Sequence, residues 1–161
     1  MKTKTIWLAV AVATLIPIVT GATPGSGVVF NIITRGTTQD AIAASGHVGR
    51  WNALVHTNRS SDFVVQDVAL APGGYSGWHT HPGPALVTVR RGTATLYEAD
   101  DPECTPQVFS AGSAFTESAG HAHTVQNESA EDLELLVTYI TPVGAFQRID
   151  APHPDNCPSV P

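Results

Sequence analysis

The chain has 161 residues, of which 42% are apolar and 14% charged, so it is long enough to bury one sizeable core. Acidic residues outnumber basic ones by fourteen to eight, and no basic cluster is larger than the pair Arg90-Arg91. This balance argues against nucleic acid or an anionic lipid surface as a partner. No phosphate-cradling glycine loop and no Gly-x-Ser-x-Gly elbow occurs in the sequence. We therefore expect no nucleic-acid or nucleotide function.

The first 22 residues have the pattern of a secretory signal peptide. Lys2 and Lys4 precede an apolar run of 14 residues, Ile6 to Val19, which is too short to span a bilayer comfortably. The run is followed by small residues that end at Ala22, where we expect cleavage. The alternative is an uncleaved membrane anchor. Cleavage predicts a secreted or periplasmic mature chain, residues 23–161, with a net charge of −8 and no membrane contact.

Short β-rich runs, separated by Gly, Pro, Asn and Asp, dominate the rest of the chain. Eight such runs predict an all-β sandwich or barrel. One segment, Thr38–Ser45, has the pattern of a short helix. Trp51 and the alternation over Phe63–Leu70 predict core positions. The eight runs are Gly27–Ile33, Arg50–Thr57, Phe63–Ala71, Ala85–Arg90, Thr93–Glu98, Gln107–Ser110, His121–Gln126 and Leu133–Thr141.

Two cysteines, Cys104 and Cys157, are present in the predicted mature chain. In an oxidising compartment they predict a disulfide, which would pin an irregular, proline-rich C-terminal tail to the loop that follows Asp101. The alternative is a pair of metal ligands, but neither cysteine has a Cys or His neighbour at ligand spacing.

Four of the seven histidines form two pairs, His79-Thr80-His81 and His121-Ala122-His123. Residues two apart in a β-strand point to the same face, so each pair aims two imidazoles at one place. One pair alone is as consistent with an exposed surface as with a metal site. Two pairs, each at a glycine-rich strand entry, favour a transition-metal site built from several strands.

The spacing of these residues resembles the two motifs of the cupin family. Ser118 stands where the second motif has a proline. The resemblance implies a single cupin-type jelly-roll β-barrel over residues 23–161, with His79, His81 and His123 as metal ligands. The matched positions are Gly73, His79, His81 and Gly92 for the first motif, and Gly112, Gly120, His123 and Asn127 for the second.

The sequence departs from the family at the fourth ligand. Cupins usually supply a glutamate from the first motif, but this chain has Ala85, or Leu86 with the longer spacing. The site could then hold its metal with three histidines and water, could have lost the metal, or could receive a carboxylate from elsewhere. Glu117 is the candidate carboxylate. A three-residue loop at residues 118–120 would pair Glu117 with His121 and turn it inward, whereas a two-residue loop would turn it outward.

His121 is a candidate contact in the substrate pocket, with an exposed hairpin position as the alternative. For function, three hypotheses remain: a metal-dependent oxidoreductase of the oxidase or dioxygenase type, a non-redox isomerase or lyase, and a non-catalytic protein that binds a small molecule or a metal. The cofactor expected is one divalent transition-metal ion, with copper or manganese favoured over iron and zinc. The expected partner is a small-molecule or carbohydrate substrate, and a homodimer is among the assemblies considered.

Overall fold

The computed structural model describes residues 23–161, and the predicted signal peptide lies outside them. Regular structure in the described part consists of β-strands, and no helix there is long and apolar enough to cross a membrane. The twelve strands are β1 (Ser26–Thr37), β2 (Ala43–Val48), β3 (Trp51–His56), β4 (Ser61–Tyr75), β5 (His79–Thr80), β6 (Ala85–Arg91), β7 (Thr93–Glu98), β8 (Gln107–Ser110), β9 (Ala114–Glu117), β10 (His123–Gln126), β11 (Leu133–Pro142) and β12 (Ile149–Asp150).

Ten of the strands form one continuous antiparallel sheet, which we describe as two smaller sheets that share one core. The first sheet has the order β1-β4-β11-β6-β9. The second has the order β12-β5-β10-β7-β8, and the pair Gln126 and Tyr75 joins it to the first. β2 and β3 pair only with each other, as a separate hairpin. The protein is all-β, and the nearly closed antiparallel barrel agrees with the predicted jelly roll.

Alternating side chains of the long strands build the core. Over residues 62–70 of β4 and 133–139 of β11 every second residue is buried, because neighbouring residues of a strand face opposite sides of the sheet. Each aliphatic side chain removed from water contributes about 1.5–3 kcal/mol, so this periodic set is the main stabilising element. Among its members are Val64, Val68, Leu70, Val87, Val89, Leu96, Phe115, Val125, Leu133, Leu135 and Val137.

The predicted disulfide between Cys104 and Cys157 is present. It ties the C-terminal tail to the loop between β7 and β8, and Trp78 packs with Cys157, Tyr97 and Ala151 in a second, smaller cluster. The tail is not wholly irregular, because β12 pairs with β5.

Two predictions for the N-terminal part are wrong. The segment Thr38–Ser45 is not helical: it enters β2, where pairing with β3 overrides a weak local helical preference. Trp51 is 62% exposed and lies in the hairpin formed by β2 and β3, outside the core. The β-pattern around Trp51 predicts the strand correctly, but it does not tell whether the chain itself covers that strand.

Candidate metal centre

Three histidines converge at one end of the barrel. His79 lies on β5, His123 begins β10, and the two residues are direct cross-strand partners. His81 follows two residues after His79 and therefore points to the same side. The possible ligand atoms of the three imidazoles all lie within 4.8 Å of one another. The side chains are only 2–6% exposed, so the cluster is buried.

Backbone carbonyls fix the orientation of all three rings. The Nδ1 atoms of His79, His81 and His123 lie 2.8, 2.5 and 2.9 Å from the carbonyl oxygens of Gly77, Gln147 and His121. A carbonyl oxygen only accepts hydrogen bonds, so each Nδ1 must carry the proton and donate it. In the neutral imidazole the lone pair is then on Nε2, and this arrangement is the usual support of metal-bound histidine.

Glycine is required at position 77 for this arrangement. Its backbone has a φ of +72°, and a Cβ atom there would collide with the carbonyl oxygen of Thr23. The chain turns sharply at Gly77, which brings its carbonyl oxygen back to the ring of His79 two residues later. The sequence Gly-Trp-His therefore sets both the position and the tautomer of His79.

Glu117 completes the cluster from β9. Its Oε2 lies 3.1 Å from Nε2 of His81, and its Oε1 lies 3.4 Å from Nε2 of His123. Its side chain is 6% exposed. Across the sheet, Glu117 is the direct partner of Ala85, the position at which the cupin motif has its glutamate. The carboxylate therefore enters the barrel from the neighbouring strand, at the height where the motif glutamate is missing.

The strand pairing that places Glu117 differs from the predicted one. β9 pairs with β6, whereas β10 pairs with β4, β5 and β7, so Glu117 is not the hairpin partner of His121. The inward direction of Glu117 follows from its register with Ala85 instead. The prediction rested on the length of the loop at residues 118–120. Loop length constrains the pairing only of strands that are adjacent in the chain, and β6 is not adjacent to β9.

The spacing of the donor atoms suits a single ion. Two ligand atoms that are each about 2.1 Å from a metal lie about 3.0 Å apart at a right angle and about 3.4 Å apart at the tetrahedral angle. The contacts of Glu117 with His81 and His123 fall at 3.1 and 3.4 Å, and the Nε2 atoms of His81 and His123 are 3.2 Å apart. Two Nε2 lone pairs at that distance repel unless a cation or a proton lies between them. The donor set thus fits a divalent transition-metal ion.

The charges of the cluster are strongly coupled. Burial alone would raise the pKa of Glu117, but hydrogen bonds from His123 and His81 outweigh it and hold that pKa well below its usual value. Burial opposes a charge on His123, yet the Glu117 carboxylate raises the pKa of this imidazole. Burial, together with the neighbouring His123 and His81, lowers the pKa of His79 well below 6.5. Without a metal, the Glu117 carboxylate therefore favours the protonated form of His123.

A small cavity of about 30 Å³ adjoins the cluster inside the barrel. Seven apolar side chains line it together with Ser76, His79, Glu117 and Tyr139. The Tyr139 ring lies edge-on to His81 at 5.1 Å, and its hydroxyl donates a 3.0 Å hydrogen bond to Gln66. One or two water-sized molecules fill such a volume.

His121 lies apart from this cavity. Its side chain is 56% exposed and forms an ion pair with Asp100, while its backbone oxygen orients His123. Sequence reasoning did not identify the Gln147 carbonyl or the Tyr139 ring as neighbours of the site. A backbone carbonyl has no sequence signal, but the position of Tyr139 beside Ala85 in β11 follows from the sheet order.

The comparison with known families agrees with this architecture. A family model described as a cupin domain matches residues 66–139, which include all four donors. The chain contains a cupin domain. No sequence among the curated proteins matches it.

Solved structures that resemble this chain have low sequence identity to it. A conserved protein of unknown function from Streptococcus pyogenes has 22% identity and a TM-score of 0.43, over 50% of this chain and 65% of that one. A variant oxalate decarboxylase of B. subtilis has 16% identity and a TM-score of 0.49, and the alignment covers 55% of this chain and 24% of that one. A Klebsiella pneumoniae protein with a double-stranded β-helix domain has 19% identity and a TM-score of 0.47, and the alignment covers 71% of this chain and 87% of that one. The aligned part of this cupin thus spans about a quarter of the decarboxylase chain.

Proposed function

We propose that this cupin binds one divalent transition-metal ion through His79, His81, His123 and Glu117. The observation that supports the proposal best is that all three histidines donate through Nδ1, which leaves each Nε2 lone pair available to a metal. The Glu117 carboxylate lies beside the Nε2 atoms of His81 and His123, and the possible ligand atoms of the three imidazoles lie within 4.8 Å of one another.

The donor set favours manganese or copper as the ion. A carboxylate raises affinity for hard ions such as Mn²⁺, whereas imidazoles alone favour softer ions such as Cu²⁺ and Zn²⁺. We further propose that the mature chain begins after Ala22 and is secreted or periplasmic. The disulfide between Cys104 and Cys157 supports an oxidising compartment, in which Fe²⁺ is difficult to keep reduced.

The reaction that we propose is the oxidation of a small organic molecule with dioxygen as the electron acceptor. The bound ion would supply redox chemistry and charge stabilisation. The chain supplies a water-poor chamber: the four donors are 2–6% exposed, and the adjoining cavity of about 30 Å³ is lined mainly by apolar side chains. A molecule the size of dioxygen fits this volume, and the organic substrate would bind outside it.

Glu117 has two tasks in this proposal. Its carboxylate neutralises part of the ion's charge, and without the ion it raises the pKa of His123. Tyr139 limits the cavity and keeps its hydroxyl on Gln66.

The near-complete burial of the donors also supports a second candidate, a non-catalytic metal-binding protein. A buried ion exchanges slowly, which suits sequestration as well as catalysis.

Elemental analysis distinguishes these candidates. The purified protein is stripped with a chelator and offered Mn²⁺, Cu²⁺, Fe²⁺ and Zn²⁺ separately, and the bound metal is counted after gel filtration. We expect one Mn or Cu per chain, and oxygen uptake by that form with a panel of small acids and alcohols. Retention of zinc alone would favour non-redox chemistry, and a stoichiometry below 0.1 for all four ions would refute the metal site. Tight binding without oxygen uptake would favour sequestration.

A further inference from the structure

The N-terminal part of the described chain forms an arm that the barrel leaves uncovered. The arm consists of β1 (Ser26–Thr37) and the hairpin β2–β3 (Ala43–His56), and we call it the N-terminal arm. Every residue of β2 and β3 is exposed, and so is every residue of β1 except Val28. An isolated two-stranded hairpin is at best marginally stable in water. This one therefore needs a surface to cover it.

The hairpin is amphipathic, with its apolar face unpartnered among residues 23–161. Cross-strand partners share a face, and the pairs alternate between the two faces. One face contains Ser45, His47, Asn52 and His56 together with Ala43 and Leu54. The other contains only apolar residues and glycine: Ala44, Gly46, Val48, Trp51, Ala53 and Val55. Val48 is 74% and Trp51 62% exposed.

Hydrogen bonds close both ends of the connection between the hairpin and the barrel. Thr38 and Ser61 exchange two hydrogen bonds of 2.9 Å where β1 and β4 end their pairing, and Ile42 and Thr57 exchange two more of the same length at the base of the hairpin. A two-residue turn at positions 49–50 closes the tip. The hairpin is therefore a regular, hydrogen-bonded element with a defined exposed face.

β1 is an open edge of the first sheet. It pairs with β4 on one side, and no strand within residues 23–161 pairs with its other side. A long apolar edge strand of this kind is a template for strand pairing with another chain. The exposed apolar side chains on it are Val29, Phe30, Ile32 and Ile33.

We propose that a second copy of this chain covers the N-terminal arm. In the resulting two-fold dimer, the apolar hairpin face of each protomer packs against the exposed apolar side chains of β1 in the other. The arm comprises 26 residues, and a stable protein interface uses about 20–30 residues on each side. Each copy has both surfaces, so a two-fold axis satisfies them together.

The chemistry of the arm argues against other occupants. Neither β1 nor the hairpin contains an acidic residue or lysine. Of their two arginines, Arg35 is paired with Asp62 and Arg50 lies in the turn at the tip, so a charged partner finds little to bind. A lipid surface would leave the edge groups of β1 without hydrogen bonds, and the net charge of −8 in residues 23–161 repels anionic lipid.

The dimer would also complete the interior cavity. Phe30 is 44% exposed and lines the small cavity beside Glu117 and Tyr139. Covering β1 with the second copy closes this wall and excludes water from the metal-side chamber. This inference does not depend on the identity of the metal or on catalysis.

Sedimentation equilibrium of the purified protein, with its N-terminus defined by mass spectrometry, tests the proposal. We expect a dimer at about 10 µM. Trp51 emission should shift to shorter wavelength as concentration rises, whereas the fully buried Trp78 contributes a constant signal. The double substitution Val48→Asp/Trp51→Asp should raise the dimer dissociation constant by at least about 30-fold, as expected for central interface residues.

Leu54→Asp is the matched control, because Leu54 is 73% exposed in the same hairpin but on the opposite face. It should change the dissociation constant by less than about threefold. The substituted residues lie outside the barrel core, so circular dichroism and metal content should stay as in the wild type.

Three results would overturn the proposal: a monomer at all concentrations up to about 100 µM, a dimer that survives the double substitution, or equal loss of the dimer with Leu54→Asp. The last result would place the contact in the groove of about 1260 Å³ at the foot of the arm, which Leu54 lines. If the protein is a monomer and floats with phosphatidylcholine vesicles in a density gradient, the arm binds a membrane instead.

Discussion

Replacing Glu117 with glutamine tests whether its carboxylate is a ligand of the metal. The substitution keeps the size of the side chain and one oxygen, but it removes the negative charge that lies 3.1 and 3.4 Å from the Nε2 atoms of His81 and His123. Loss of a group that only supports a ligand costs about 10–100-fold in metal affinity. A carboxylate that coordinates directly should cost more, so we expect a decrease of at least about 100-fold, or about 2.7 kcal/mol.

The pH of the measurement matters for this test. In the metal-free wild type, Glu117 raises the pKa of His123, so protons compete with the metal. Glutamine removes that competition as well as the ligand, and the two effects oppose each other at low pH. Titration calorimetry over a range of pH, with the affinities compared where they no longer change with pH, isolates the loss of the ligand.

Glu98→Gln is the matched control. Glu98 is the cross-strand partner of His123 on β7, but its carboxylate accepts a hydrogen bond from Gln107 at the surface. The same loss of charge should therefore leave metal affinity within about threefold. Affinity within threefold of wild type for Glu117→Gln, or an equal loss for Glu98→Gln, would refute a ligand role for Glu117.

Moving the carboxylate from position 117 to position 85 is a second test of its role as a ligand. Ala85 is fully buried and directly opposite Glu117 on β6, so the pair Ala85→Glu/Glu117→Ala conserves total volume while moving the carboxylate across the strand pair. The double variant should recover at least about tenfold of the affinity lost in Glu117→Ala. No recovery, with a folded barrel by circular dichroism, would show that the site tolerates a carboxylate from β9 only.

Three further predictions follow from the site and the tail. Alanine at any one of the three histidines should lower bound metal from one ion per chain to below about 0.1 by elemental analysis, with the β-rich circular dichroism unchanged, because the core is built from other residues. Because Glu117 raises the pKa of His123 above 6.5, apparent metal affinity should fall about tenfold per pH unit for each proton displaced below that pKa and level off above it, as measured by calorimetry across pH. Native protein should contain no free thiol, and Cys104→Ser/Cys157→Ser should lower the free energy of unfolding by about 4 kcal/mol in denaturant titrations, as expected for a 53-residue separation.

The barrel strands could be predicted because each buries one face. The runs Thr93–Glu98 and Gln107–Ser110 have the predicted ends, and Leu133–Thr141 is one residue shorter than β11. β5 and β12 could not be predicted, since strands of two residues have no periodicity. The helix predicted over Thr38–Ser45 is absent, and its last three residues begin β2, because small residues there give little local preference.

For the metal centre, the histidines could be predicted from their spacing, and the position of Glu117 only in part. Its inward direction depends on pairing between β9 and β6, which are far apart in sequence and whose register no local pattern specifies. The exposed position of Trp51 was beyond prediction for a related reason. An apolar strand face has the same sequence pattern whether the same chain covers it or another one does.

The hydrogen bond between His81 and the Gln147 carbonyl has a consequence for how the protein is divided experimentally. The region that matches the family, residues 66–139, contains every donor side chain but ends before the residue that holds one of them in place. β12, which pairs with the strand of His79, also lies beyond it. A fragment cut at the family boundary would retain the ligands but lose the alignment of His81. The smallest segment able to capture an ion therefore extends at least to Asp150, and grafting this centre into another scaffold requires β12 as well as the barrel.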